Sequence, residues 1–244
     1  MASQWQNFLC NLGEWRGSFA SLSPDGSVRD STPSILSLER DAEEERLVRF
    51  RLRRFGPEGL SGEPTRDLQQ DYRSLGRQVV FFANGSFCKG SLQVAPNTAF
   101  GAEFGFIDRD RRHRLVLLYD TAGAFDHPVL IREFRAGHEV PEQPPLTPDG
   151  LLGQWQGEMA TISADWPEPD LEAVQVSYGP ADLSGLQLLP DGGYYRLPTQ
   201  VSHRQAFVIE AGWQPAPGRM QRLIRRYDAS GAWQSASLQS LQAC

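Results

Sequence analysis

Apolar and polar residues alternate along much of this 244-residue chain in short stretches, and that spacing predicts β-strands. In one stretch three apolar residues alternate with three arginines, and in another four apolar residues alternate with glycine and glutamate: RLVRFRLRRF (46–55) and AFGAEFGF (99–106). A residue period of two places successive side chains on opposite faces of a strand. We therefore expect strands with one apolar face each.

Turn signals separate these stretches. Asn84-Gly85 and Asp191-Gly192 each lie at the centre of an apolar stretch and predict tight hairpins with type I′ turns, in which both turn residues have a positive φ. Helix signals are confined to residues 3–12 and to one turn at 147–152, where Pro148 suits the first helical position. Short strands separated by turns at this spacing predict an all-β sandwich or barrel.

The same pattern occurs twice. LGEWRG (12–17) returns as LGQWQG (152–157), 140 residues later, and three further blocks return in the same order 107 or 108 residues later. The fall in offset from 140 to 107 places 33 extra residues in the first copy, between Phe19 and Phe81. We predict a duplicated domain, with copies at 1–139 and 147–244 joined by a proline-rich linker at 140–146.

The repeated Gly-x-Trp-x-Gly motif, preceded by a short helical turn, resembles the motif of the calycins, the superfamily of lipocalins and fatty-acid-binding proteins. The resemblance implies two tandem lipocalin-like antiparallel β-barrels with a short N-terminal helix. It implies that each tryptophan plugs the closed end of a barrel beneath an arginine. The residues so implied are Gly13, Trp15, Gly17, Gly153, Trp155 and Gly157, with Arg132 or Arg135 as the packing arginine of the first copy and Arg225 or Arg226 as its substitute in the second.

The N-terminal segment WQNFLCNLGEWRGSFASLSPDGSVRDSTPSILSLE (5–39) is similar to the signature of an uncharacterised family from cyanobacteria and plastids. A plant member of that family helps to assemble the catalytic head of ATP synthase. The resemblance implies a non-enzymatic binding protein whose partner is another protein, with ATP synthase subunits as the first candidates. No short motif defines functional residues that could be transferred to this chain.

Composition narrows the remaining choices. The formal net charge of -6 argues against nucleic acid as a main partner. Cys10, Cys88 and Cys244 are an odd number of widely spaced cysteines, which predicts reduced thiols and no disulfide framework or zinc site. No apolar run approaches the roughly 20 residues of a membrane-spanning helix, and the N-terminus lacks a signal-peptide pattern. We expect a cytoplasmic protein.

The sequence contains no compact catalytic motif, so we expect no enzymatic activity, no cofactor and no metal. The four histidines are expected in turns or in the linker: His113, His127, His138 and His203. Glu103 and Glu210 occupy the same repeat position inside apolar strands. Because a buried carboxylate is costly unless it is paired, we expect both on a solvated face.

Arg49, Arg51 and Arg53 share one face of a predicted strand and form the candidate partner-binding site, called the arginine stripe below. A row of guanidinium groups suits an acidic protein surface or an anionic ligand. The alternative is local neutralisation by the acidic segment DAEEE (41–45) just before it. The stripe lies within the 33 residues that are particular to the first copy.

Two functions remain open. In the first, the protein is an assembly or scaffold factor that binds a protein on its outer surfaces. In the second, it is a lipocalin-like carrier of a lipophilic or tetrapyrrole molecule, of which a catalytic variant would resemble the bilin lyases. The interior of the barrels decides between them, and the many aromatic residues of the strands favour filled barrels.

Overall fold

The computed structural model describes residues 2–138, 140–166 and 168–244, and almost all of its regular structure is antiparallel β-sheet. One helix, α1 (Gln4–Leu9), begins at a Ser3 capping box. The first sheet contains β1 (Gly13–Leu22), β2 (Val28–Arg40), β3 (Val48–Phe55), β4 (Pro64–Tyr72), β5 (Val79–Phe81), β6 (Phe87–Gly90), β7 (Phe100–Asp108), β8 (Arg111–Tyr119) and β9 (Phe125–Arg135). The second contains β10 (Gly153–Ser163), β11 (Asp170–Tyr178), β12 (Gln187–Leu188), β13 (Gly193–Arg196), β14 (Phe207–Ala216), β15 (Arg219–Tyr227) and β16 (Trp233–Ala243). Short 3₁₀ turns lie at Gly59–Ser61, Pro148–Gly150 and Pro180–Leu183.

Each sheet is curled, because its first strand pairs with its last. The strand order is β4-β3-β2-β1-β9-β8-β7-β6-β5 in the first sheet and β11-β10-β16-β15-β14-β13-β12 in the second. The first sheet forms a half-barrel whose two edges are β4 and β5. The all-β class, the two curled antiparallel sheets and the short N-terminal helix are therefore confirmed.

The internal repeat is visible in the strand register. β8 and β15 are equivalent, and each pairs on both sides with equivalent strands. The first sheet has two strands more than the second, nine against seven. Those two are β3 and β4, which lie between Phe19 and Phe81 and account for the longer first copy.

The Gly-x-Trp-x-Gly motif has the same geometry in both copies. Gly13 and Gly153 both have φ +116°, a conformation that side chains disfavour. A Cβ atom on Gly17 would lie 1.8 Å from the carbonyl oxygen of Arg132, and one on Gly157 would lie 1.9 Å from that of Ser240. The second glycine of the motif is therefore required where the first strand approaches the last.

The predicted turn types hold for one hairpin of the two. Asp191 and Gly192 have φ values of +56° and +71°, as a type I′ turn requires. In the first copy only Gly85 has a positive φ, so the type I′ expectation for Asn84-Gly85 is wrong. There the Gly85 N–H donates to Phe82 and the Phe82 N–H donates to Ser86 across the turn.

The largest hydrophobic core lies between the two sheets, and both contribute to it. The Phe100, Ala102, Phe104 and Phe106 face of β7 packs there against the second sheet. Phe207 of β14 stacks on Tyr227 of β15 at 4.5 Å, and the Phe100 ring lies edge-on to both at 5.6 and 5.2 Å. Many of the aromatic residues of the repeat thus join the sheets to each other and do not fill their interiors.

Each curled sheet also encloses a smaller core of its own. Trp15 lies in the one inside the first sheet, with Phe8 and Leu36. Trp155 lies in the one inside the second sheet, with Tyr194 and Met220. The Glu103 and Glu210 face is turned toward these interiors, where both carboxylates are paired with arginines, so the expectation of a solvated face is wrong.

Candidate functional site

The two motif tryptophans occupy equivalent buried positions at one end of each sheet. Trp15 Nε1 donates to the Asn11 carbonyl at 2.9 Å, and Trp155 Nε1 donates to the Leu151 carbonyl at 2.8 Å. Both rings are almost completely buried. In each copy the acceptor lies four residues before the tryptophan, so the turn that precedes the strand holds the ring in place.

The arginine that packs on Trp15 is Arg135, the second of the two expected candidates. Its guanidinium carbon lies 4.3 Å from the ring centroid, and that of Arg112 lies 4.6 Å from it. Arg132 instead forms an ion pair of 2.6 Å with Glu142 of the linker segment. The role expected for Arg132 thus belongs to Arg135, because the register of β9 places Arg135 directly opposite Trp15.

Trp155 has no such arginine. Ala243 stands opposite it on β16, and no guanidinium lies over the ring in the part of the chain that the structure describes. Arg225, expected as a substitute, is buried between the sheets over Trp233, with its Nη1 3.6 Å from Cys88 Sγ. The expected second-copy arginine is thus replaced by apolar packing.

Four buried or half-buried charged side chains form an ion cluster inside the first sheet. Glu133 accepts from Arg112 Nε at 2.7 Å and from Arg114 Nε and Nη2 at 3.0 Å each. Arg114 Nη1 donates to Glu103 at 2.8 Å. Burial by itself raises the pKa of Glu133, but the two guanidinium groups outweigh it and set that pKa at about 2. Glu133 is therefore ionised at neutral pH.

A cavity of about 360 Å³ lies above this cluster in the first sheet. Its walls are mostly apolar side chains from α1 and from strands on both sides of the half-barrel, among them Phe19, Leu36, Phe50 and Val116. The chain between β4 and β5 lines the opening. The volume lies within the usual range of small-molecule sites, about 300–1,000 Å³.

The second sheet has a reduced version of the same interior. Glu210 pairs with Arg222 at the repeat positions of Glu103 and Arg114. Where the first sheet pairs Arg112 with Glu133, however, the second pairs Met220 with Leu241. The Tyr194 ring lies over Gly212, where a Cβ atom would be only 2.0 Å away, and the Phe87 ring lies over the equivalent Gly105 in the first sheet.

The arginine stripe lies on the outer face of β3, and each of its members has an acidic neighbour. The nearest nitrogen–oxygen distances are 2.5 Å for Arg49–Asp41, 2.6 Å for Arg51–Asp67 and 3.9 Å for Arg53–Glu14. The exposed side-chain fractions of the three arginines are 64%, 46% and 29%. The stripe is accessible, but carboxylates from three different segments balance its charge.

The sequence did not predict a polar cluster that is buried between the two sheets. Arg111 and His113 of β8 both meet Asp191 in the β12–β13 turn, and His113 stacks on Trp213 with ring centroids 5.6 Å apart. The expectation that the histidines lie in turns or linker is wrong for His113 and His127, which lie within β8 and β9. Burial lowers the pKa of His113 below its usual value, more than Asp191 raises it.

The geometry offers binding surfaces without a recognisable metal centre. In residues 2–138, 140–166 and 168–244, no three His, Cys, Asp or Glu side chains converge as a metal site would require. Over the same ranges no helix is both long and apolar enough to cross a bilayer. Two features with ligand-binding geometry are the cavity with its ion cluster and the exposed outer face of β3.

Comparison with known proteins assigns the chain to a protein family. A family model described as "Domain of unknown function (DUF3598), N-terminal" matches residues 1–138. The chain belongs to the DUF3598 family. A second model, the C-terminal domain of "Biogenesis factor required for ATP synthase 1", matches residues 142–180 and 177–242, which span the second sheet. A search of curated proteins found no match.

One solved structure agrees with this assignment, and a second has a weaker likeness to part of the chain. A DUF3598 protein of unknown function from Nostoc punctiforme PCC 73102 is 34% identical, with 100% of both chains covered and a TM-score of 0.90. An S-type phycobiliprotein lyase from Guillardia theta is 13% identical over 57% of this chain and 95% of its own, with a TM-score of 0.38. The first of these relatives shares the whole two-sheet architecture.

Proposed function

We propose that this DUF3598 chain is a non-enzymatic binding protein that acts as an assembly or biogenesis factor, with ATP synthase head subunits as its first candidate partners. One observation carries the proposal: the segment that forms the second sheet matches the C-terminal domain of a biogenesis factor required for ATP synthase. In this proposal the first sheet contributes the surface of β3 and β4, the two strands that the second sheet lacks.

The arginine stripe is the candidate contact of the first sheet. It lies on β3, one of the two strands that the second sheet lacks, and it is accessible from outside. Its arginines are paired with carboxylates on neighbouring segments, so a partner would have to exchange those pairs for its own. Exposed charges of this kind act mainly on the rate of encounter and are screened by salt.

The second sheet presents a different surface. Trp166 and Leu171 lie at the end of the β10–β11 hairpin with exposed fractions of 58% and 56%. Tryptophan is enriched in the centres of protein interfaces. Acidic residues flank both, so a partner with basic and apolar residues would be complementary to this hairpin.

The test is capture of purified ATP synthase head subunits by the full chain at low and at physiological salt. Changing Arg49, Arg51 and Arg53 together to Ser is expected to reduce capture and its salt dependence, while stability changes by no more than about 1 kcal/mol. The matched control changes three other exposed arginines without a carboxylate within 4 Å among the described residues: Arg29, Arg77 and Arg204. Both variants have the same net charge.

Equal capture by the stripe variant and by the control would remove the stripe from the proposal. Loss of capture on changing Trp166 and Leu171 to Ser would then place the contact on the second sheet. No capture by the unchanged chain under either salt condition would contradict the proposed partner.

A carrier function is the second candidate, and the cavity in the first sheet favours it. At about 360 Å³ the cavity is large enough for a small ligand, and its walls are mainly apolar. Protein purified from its native host would be extracted with organic solvent and analysed by mass spectrometry and visible absorption. A stoichiometric lipid or tetrapyrrole would support the carrier function over protein assembly.

A further inference from the structure

The arginine at the floor of the first-sheet cavity has an unused hydrogen-bond donor. Arg112 lines the cavity and is only 3% exposed. Its Nε donates to Glu133 and its guanidinium lies over Trp15, but its Nη2 is buried without a hydrogen-bond partner among the described residues. A buried guanidinium with a free donor is costly and is retained only where something offsets it.

The fold itself does not require this arginine. In the equivalent position of the second sheet stands Met220, paired across the sheet with Leu241 as Arg112 is paired with Glu133. Met220 and Leu241 pack with Trp155 in an apolar core. Since the same strand geometry is completed there by two apolar side chains, the charged pair of the first sheet serves something other than closing the sheet.

The chemistry of the cavity defines what could use the free donor. A guanidinium group donates hydrogen bonds and accepts none, so its ligand must present an acceptor oxygen. Beneath the cavity, Arg112 and Arg114 are balanced by Glu103 and Glu133, and the exposed Lys89 adds one positive charge at the cavity wall. The remaining walls are mainly apolar. The site thus suits an anionic oxygen at its floor and an apolar body above it.

We propose that the first-sheet cavity binds a small amphipathic carboxylate, whose carboxylate oxygen accepts a hydrogen bond from Arg112 Nη2 while its apolar body fills the half-barrel. The ligand enters between β4 and β5, the two edges of the sheet. The proposal rests on the carrier function and is independent of any protein partner. Arg112 selects the ligand, and the aliphatic and aromatic walls supply most of the buried area.

Isothermal titration calorimetry of the full chain with three ten-carbon probes tests the proposal: sodium decanoate, decan-1-ol and decyltrimethylammonium. Decanoate is expected to bind about tenfold or more tightly than decanol, because a charge-assisted hydrogen bond to a buried arginine is added. The cationic probe is expected to bind most weakly. Equal affinity for decanoate and decanol would overturn the selection by Arg112 but leave a carrier of neutral ligands, whereas no binding of any probe would overturn both.

Two variants locate the site. Arg112→Met introduces the residue of the second sheet and leaves Glu133 paired with Arg114, and it is expected to abolish the preference for decanoate while decanol still binds. Val116→Trp fills the cavity from β8 and is expected to abolish binding of both. A decanoate preference that survives Arg112→Met, or binding that survives Val116→Trp, would place the ligand elsewhere. If Arg112→Met does not fold, Arg112→Lys and the probe series on the unchanged chain still decide the question.

Discussion

Trp15 and Trp155 show how one residue can have the same role and different surroundings. Each donates its indole N–H to a carbonyl four residues earlier, and each is buried at the same place in its sheet. Around Trp15 lie two guanidinium groups, whereas around Trp155 lie apolar side chains. The repeated motif therefore specifies the turn and the ring position and leaves the chemistry around the ring free to diverge.

Removing either ring is expected to destabilise the protein strongly. Trp15→Ala and Trp155→Ala should each cost about 3–5 kcal/mol, as large buried aromatic residues do, and Trp15→Ala should cost more because Arg112 and Arg135 lose the ring they cover. Urea unfolding followed by circular dichroism measures both. Trp166→Ala, at an exposed tryptophan, is the control and should change stability by less than about 0.5 kcal/mol. An unchanged unfolding midpoint for either buried position would contradict the plug role.

His113 makes stability depend on pH. It is buried beside Asp191, with Arg111 and Arg132 also nearby, and burial lowers its pKa below the usual 6.5. The unfolded chain therefore binds a proton at this residue more readily than the folded chain does. The contribution of His113 to stability is complete above about pH 6.5 and is lost as the pH falls from there toward the folded-state pKa.

The free energy of unfolding should accordingly fall between pH 7.5 and pH 5. Asp191 also has a pKa below its usual 3.8, since hydrogen bonds from His113 and Gln143 and the charge of Arg111 outweigh the effect of its burial, but it acts only in a more acidic range. His113→Gln introduces the residue found at the equivalent position 221. It should flatten this slope, and an identical slope in both proteins would show that another group titrates.

At the scale of strands, alternation identified the elements but not what covers each face. The apolar face of β7 and the arginine face of β3 follow from a period of two. A period of two does not tell which face of β7 meets the second sheet, because a sheet buried on both sides has two covered faces. Glu103 looked solvated for the same reason. Its partner Arg114 lies eleven residues later, on the next strand, and only the register of β7 with β8 brings the two side chains together.

The equivalent glutamates of β7 and β14 give a matched comparison of buried ion pairs. Glu210 is 4% exposed and is the carboxylate that pairs with Arg222, whereas Arg114 keeps two hydrogen bonds to Glu133 if Glu103 is lost. Glu210→Gln should therefore destabilise the protein by about 3–5 kcal/mol, the usual cost of an uncompensated buried charge, and Glu103→Gln by about 1 kcal/mol. Thermal and urea unfolding measure both. Equal losses would mean that the two clusters are energetically alike despite the extra carboxylate in the first.

At the scale of the whole molecule, the sequence predicted the duplication but not the contacts between the two sheets. Repeated blocks are local and can be aligned by eye, as with LGEWRG and LGQWQG. The contacts between the sheets join side chains that are far apart in the chain, such as Arg111 with Asp191 and Arg219 with Asp108. Such pairs leave no periodic signal. The cavity in the first sheet could not be predicted from the sequence either, because it exists only where the aromatic face of β7 packs outside the half-barrel.

The shared core predicts that the two copies depend on each other. Expressed alone, 1–139 would expose the β7 face of Phe100, Phe104 and Phe106, and 147–244 would expose Phe207 and Tyr227. An apolar surface of several hundred Å² on a separate domain favours association.

Each half is therefore expected to aggregate or to bind the dye anilinonaphthalene sulfonate, while the two expressed together should co-elute as a 1:1 complex that does not bind the dye. Size-exclusion chromatography with light scattering checks this, with the intact chain as control. Two monomeric halves, each with its own cooperative thermal transition and no dye binding, would show that the intersheet core joins domains that are already stable and does not create their stability.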